Sequence, residues 1–126
     1  MMREVIRRLP DAELEVMNAV WDCEAPVART DIEAVLGKER PLAPTTILTL
    51  LTRLTEKGFL RAEKQGRANC YTPLIARHDY LAAQSKRFVE KLCGGSMSAF
   101  AAALCDSGLS REELEELREL LEKGGL

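Results

Sequence analysis

Apolar positions along the chain recur at two periods, and the clearest helical one runs from Ala43 to Leu54. Ile47, Leu50, Leu51 and Leu54 fall at i, i+3, i+4 and i+7, a narrow stripe, while Thr45, Thr49 and Thr52 lie on the opposite face with Thr46 and Arg53 beside them. Pro44 suits a first helical turn, and Gly58 ends the helix after Lys57. Two helices are predicted ahead of it. From Pro10 to Asp22, Leu14, Met17 and Trp21 make a stripe with Val16 and Val20 alongside, and Asp11, Glu13 and Glu15 compensate the helix dipole. Cys23 to Pro26 breaks that helix, Val27 reads as a minimal strand, and a second helix runs from about Arg29 to Leu36, closed by Gly37. Lys38 to Leu42 is a polar connection, and Met1 to Arg8 reads as a short frayed arm whose Arg3, Arg7 and Arg8 are within reach of a phosphate.

From Phe59 the period shortens to that of strands. Phe59 to Lys64 and Ala68 to Thr72 read as a hairpin around Gln65-Gly66-Arg67, with bases at its tip. Three helices followed by a basic hairpin is the order of a winged helix-turn-helix, with the third helix for a DNA groove and the hairpin as wing. Pro73 closes this unit, and the remainder is helical. Asp79 to Leu92 carries Leu81, Phe88 and Leu92; Gly94-Gly95 breaks it; Ser96 to Cys105 is small and apolar; and Ser110 with Glu113 forms a capping box before Leu114, Leu117 and Leu121. The expected fold is mainly α with a small β-hairpin wing, divided into a DNA-binding unit over 1–74 that folds alone and a helical unit over 75–126.

Three short helices cannot easily make a core of their own. The tail is therefore expected to bury its apolar faces on a second copy, through Leu81, Phe88, Leu92, Phe100, Leu104, Leu114, Leu117 and Leu121.

With 126 residues, 46% hydrophobic and 30% charged, the composition is that of a helix-leaning globular chain able to bury roughly two thirds of its unfolded surface. A net charge of −2 argues against wholesale binding of a polyanion, so any such binding must rest on local charge. Local charge is segregated. Asp11 to Glu33 holds seven acids against Arg29 alone, whereas Lys38 to Arg67 holds seven bases against Glu39, Glu56 and Glu63.

The threonine-rich face is the candidate chemistry. A solvated helix face is ordinarily Glu, Lys, Gln and Arg, because β-branched threonine is a poorer helix former. Threonine can bond to bases or phosphates and pack on a thymine methyl, so Thr45, Thr46, Thr49 and Arg53 are candidate groove contacts, with Lys57, Lys64 and Arg67 on phosphates. The competing reading is that threonine is merely tolerated there.

Nothing points to catalysis, a metal or a cofactor. His78, the only histidine, stands without paired acids, a glycine-rich phosphate loop or a nucleophile motif, and reads as a surface or helix-cap residue. Cys23, Cys70, Cys93 and Cys105 include no close pair, which fits neither a disulfide framework nor zinc spacing, and they read as small buried or half-buried hydrophobes. The amino terminus has no signal-peptide core, and the longest apolar run, Ala99 to Cys105, is too short to span a bilayer, so the chain reads as cytoplasmic with no direct membrane binding. A helical protein-interaction module without sequence-specific DNA binding remains the alternative.

The wording of these segments resembles the BlaI/MecI family of penicillinase and methicillin-resistance repressors. The likeness spans nearly the whole chain: LPDAELEVMNAVWD from Leu9, TTILTLLTRLTEKGFL from Thr45, YTPL from Tyr71, KLCGGSM from Lys91 and EELEELRELL from Glu112. The resemblance implies a homodimeric winged-helix repressor on a palindromic operator ahead of antibiotic-resistance or stress genes, released when a membrane sensor protease answers a β-lactam and the repressor is cut in its carboxy-terminal half. Aligned on GGSM, the cut would fall near Ala103-Leu104, where the family's Asn-Phe pair is replaced. The chain also departs at two helix starts, with Leu9-Pro10 where the family often has Ser or Thr and Ala43-Pro44 where it has a polar cap. Copper-responsive relatives carry closely spaced cysteines near the carboxy terminus, and this chain carries none.

Overall fold

The computed structural model describes residues 6–123, so Arg3 of the expected arm lies outside the described residues. They divide into two compact units, the first ending at Ala83 and the second beginning at Gln84.

In the first unit, α1 (Asp11–Trp21), β1 (Val27–Ala28), α2 (Arg29–Leu36) and α3 (Pro44–Glu56) lead into the hairpin β2 (Leu60–Gln65) and β3 (Ala68–Pro73), after which α4 (Arg77–Leu92) begins. α1 starts without a side-chain cap, since Pro10 has none to offer, but Asp11 and Glu13 in its first turn favour the dipole. α2 is fixed at its start by Asp31, whose carboxylate accepts from the Ala28 N–H at 3.0 Å, and ends at Gly37, with φ of 60°. The inner face of α3 is the expected one: Ile47, Leu50, Leu51 and Leu54 are all buried. Each such side chain stabilises the fold by roughly 2 kcal/mol relative to exposure. They meet Val16, Met17 and Val20 of α1, Ile32 of α2, and Phe59 and Leu60 at the entry to the wing in one core. Within α1 the deepest residues are Val16, Met17, Ala19 and Val20, while the expected Leu14 and Trp21 are half-buried at its edge.

The three strands form one antiparallel sheet in the order β1-β3-β2. Val27 faces Tyr71 and Ala28 faces Cys70, so the minimal strand predicted at Val27 docks on the hairpin. The hairpin register brings Lys64 opposite Asn69 and Gln65 opposite Ala68, and Gly66 adopts φ of 67° to turn the chain.

The division expected after residue 74 lies within the packing of this unit. Tyr80, three residues into α4, is buried, and its hydroxyl accepts from the Leu9 N–H at 2.9 Å. Its ring lies 5.7 Å from Trp21 and 5.8 Å from Phe59. Trp21 Nε1 donates to the Ile75 carbonyl at 2.9 Å, and Arg77 sits over the Trp21 ring while pairing with Asp22. The division expected after residue 74 rests on Pro73 closing the hairpin and on the helical remainder, and it leaves Tyr80 on the far side. Its aromatic partners lie far back in the chain.

The second unit continues α4 and adds α5 (Met97–Asp106) and α6 (Arg111–Lys123). Ser96 caps α5 by accepting from the Ala99 N–H at 3.1 Å. The predicted capping box at α6 is formed: Ser110 N–H donates to Glu113 at 2.9 Å, and Glu113 N–H donates to Ser110 Oγ at 3.0 Å. Phe88 and Phe100 meet edge to face at 5.8 Å. No residue of α5 or α6 is buried, and Leu92, Met97, Leu120 and Leu121 are all more than half exposed. Among the described residues no single helix is long and apolar enough to cross a membrane.

Candidate nucleic-acid interface

Burial of one face of α3 leaves the other in solvent: Thr45, Thr46, Leu48, Thr49, Thr52, Arg53 and Glu56 are exposed. Pro44 at the first position presets the helix, and Ala43 before it is extended and supplies no side-chain cap. The backbone N–H groups of Thr45 and Thr46 therefore point out of the helix start with no side-chain acceptor, which suits an anionic oxygen. Glu56 closes the outward face at its far end with a carboxylate. The half of α3 suited to a polyanion is thus its amino-terminal half.

Threonine on this face has a defined hydrogen-bonding state. Thr49 donates its hydroxyl hydrogen to the Thr45 carbonyl at 3.0 Å, and Thr52 donates to the Leu48 carbonyl at 2.9 Å. Both oxygens keep lone pairs and both side chains keep a methyl, so the face offers acceptors and apolar contact more than donors.

The cations divide into paired and unpaired. Of the seven bases between Lys38 and Arg67, Arg40 pairs with Glu15 at 2.6 Å, Arg61 with Glu63 at 2.9 Å and Lys57 with Glu13 at 2.5 Å. Lys57, expected on a phosphate, has its ammonium on Glu13, a carboxylate only 4% exposed in α1. Arg53 on α3, Lys64 and Arg67 on the wing and Lys38 in the connection between α2 and α3 have no carboxylate partner among the described residues, and all four are exposed.

The remaining candidate chemistry is elsewhere. His78 is exposed in the first turn of α4. Cys70 is buried and Cys23 and Cys93 are half-buried, but Cys105 is exposed on α5, contrary to its reading as a packed hydrophobe. Burial, helped by Asp31 and Asp22, pushes the Cys23 thiol above its ordinary range and keeps it protonated at neutral pH. Leu48 was not singled out by sequence reasoning, although a leucine standing off the apolar stripe was the available signal.

The family model described as penicillinase repressor matches residues 9–123. The chain is 34% identical over 119 residues to a penicillinase repressor of Bacillus licheniformis, covering 94% of this chain and 92% of the relative. It is also 34% identical over 116 residues to the methicillin resistance regulatory protein MecI of Mammaliicoccus sciuri, covering 91% of this chain and 94% of the relative. The solution structure of the DNA binding domain of the repressor BlaI matches with 38% identity and a TM-score of 0.51, over 63% of this chain and 94% of that chain.

Proposed function

The chain belongs to the penicillinase repressor family, and on that premise we propose that it is a DNA-binding transcriptional repressor of resistance genes, with no catalytic role of its own. The observation that carries this reading is the placement of three of the unpaired cations: Arg53 stands on the open face of α3, and Lys64 and Arg67 on the wing. In the proposed complex, α3 lies in the major groove with Thr45, Thr46 and Thr49 toward base edges and the sugar-phosphate rim, Arg53 flanks them, and the wing cations hold phosphates. Lys57 acts indirectly, by fixing the end of α3 to α1.

The repressor works as a homodimer on a palindromic operator. The second unit supports this: it buries nothing completely in α5 or α6, and Phe88, Leu92 and Leu121 are exposed while Phe100, Leu104, Leu114 and Leu117 are half-buried; Leu81, at the end of the first unit, is exposed as well. Two-fold protein symmetry then matches two half-sites. Release follows from a cut near Ala103-Leu104 by a membrane sensor protease, which would part α6 from α4 and leave each piece too little apolar surface to hold a dimer.

A map of chromosomal sites bound by the intact protein tests the reading. Enrichment at a few palindromic sequences directly ahead of resistance genes is the expected result. Association with chromosomal sites only through other proteins, with no enriched sequence, would instead favour a helical protein-interaction module.

A further inference from the structure

Leu48 is the one bulky aliphatic side chain on the open face of α3, and it remains 42% exposed between the buried Ile47 and the exposed Thr49. Helical spacing sets it one turn before Thr52 and one turn after Thr45, on the flank of the open face between the exposed Thr52 and the half-buried Thr55. An aliphatic side chain held in water there gains free energy only when a partner covers it. The hydroxyl hydrogens of Thr49 and Thr52 are already donated to the helix, to the carbonyls of Thr45 and Leu48. Beside Leu48, Thr49 and Thr52 therefore show methyl groups and oxygen lone pairs, while Arg53, five residues on, stands on the opposite flank of the open face.

Base edges in the major groove divide sharply against such a surface. Guanine presents two acceptors, N7 and O6, which match Arg53 and nothing near Leu48, whereas thymine presents a C5 methyl and its paired adenine an N6 amino donor. We propose that Leu48 is a specificity-determining residue that packs on the C5 methyl of one thymine in each operator half-site. The oxygens of Thr49 and Thr52 face amino donors beside it and exclude guanine from the same step. This rests on the reading of α3 as the groove helix and adds to it the base that the helix selects.

The test begins by selecting duplexes from a random-sequence library with the full-length protein, then resynthesising the best duplex with each thymine replaced in turn by uracil, which lacks only the methyl group. At one position per half-site the replacement should weaken binding about fourfold, the effect of uncovering one methyl. Leu48→Ala should bind the thymine duplex at that weakened level and be indifferent to uracil there, whereas Leu48→Met should keep the sensitivity. Neither variant changes a charge, so the salt dependence of binding should stay that of the parent. Selected duplexes that tolerate uracil everywhere, or a Leu48→Ala protein that keeps the full methyl effect, would overturn the proposal while leaving DNA binding intact. Failure to select any duplex would overturn it together with the DNA-binding reading.

Discussion

Lys57 donates to a carboxylate almost wholly withdrawn from water, and that fixes what its loss should do. With Lys57→Met, Glu13 would stay buried without a counter-ion, and because the lysine itself is partly solvated the cost should be about 2 kcal/mol, below the figure for a fully buried pair. Urea unfolding of the variant measures this, and its DNA affinity at fixed folded fraction should change far less than that of Arg53→Ala. At this scale the sequence was only partly legible. It located all seven bases of the central segment, but the pairing of Arg40 and Lys57 depends on Glu15 and Glu13, carboxylates on α1 that only the tertiary fold brings within reach.

At the scale of elements, α3 has an unusual start. Ala43 occupies the cap position in an extended conformation, φ −62° and ψ 145°, with no side-chain hydrogen bond. Ala43→Ser should supply the missing acceptor and raise stability by about 1 kcal/mol, read as a higher urea midpoint with an unchanged slope. If a phosphate oxygen uses the same amide groups, the gain in stability comes with weaker DNA binding. Element boundaries were legible wherever one residue type has a single strong local reason to be there: Gly37 and Gly66 at positive φ, Pro44 at a helix start, Ser110 with Glu113 in a capping box. The docking of Val27–Ala28 on β3 was not, because two residues carry no period and their partners, Tyr71 and Cys70, lie beyond α2, α3 and β2. Cys105 was misjudged for a related reason: α5 is apolar enough to look buried, yet within one chain it meets too little surface to be covered.

For the whole molecule, the position of Tyr80 determines where the chain can be divided. A fragment ending at Ala83 should fold and remain monomeric, whereas one ending at Leu74 loses Tyr80, its hydrogen bond from Leu9 and its contacts with Trp21 and Phe59. Removing so large a buried aromatic costs about 3 to 5 kcal/mol, enough to leave a small unit mostly unfolded, and circular dichroism of the two fragments distinguishes them. The longer fragment should bind DNA weakly, because the apolar faces of α5 and α6 that would join two copies are gone. Induction belongs to this scale too. Mass measurement of the chain from β-lactam-treated cells should show cleavage near Ala103-Leu104, which lies inside α5 and must unwind to enter a protease. An intact chain under full derepression would place the switch elsewhere.

The central claim is that α3 and the wing hold DNA through the cations the fold leaves unpaired, and the salt dependence of binding reports on those cations directly. Dissociation constants of the intact protein for one duplex, measured across a series of salt concentrations, should give a linear plot of log affinity against log salt. Arg53→Ala and Arg67→Ala should each lower the magnitude of the slope by about one unit, and the double variant by about two. Lys57→Met, whose ammonium is already committed to Glu13, should leave the slope close to that of the parent. An unchanged slope in the double variant, or a drop of a full unit in Lys57→Met, would contradict the account.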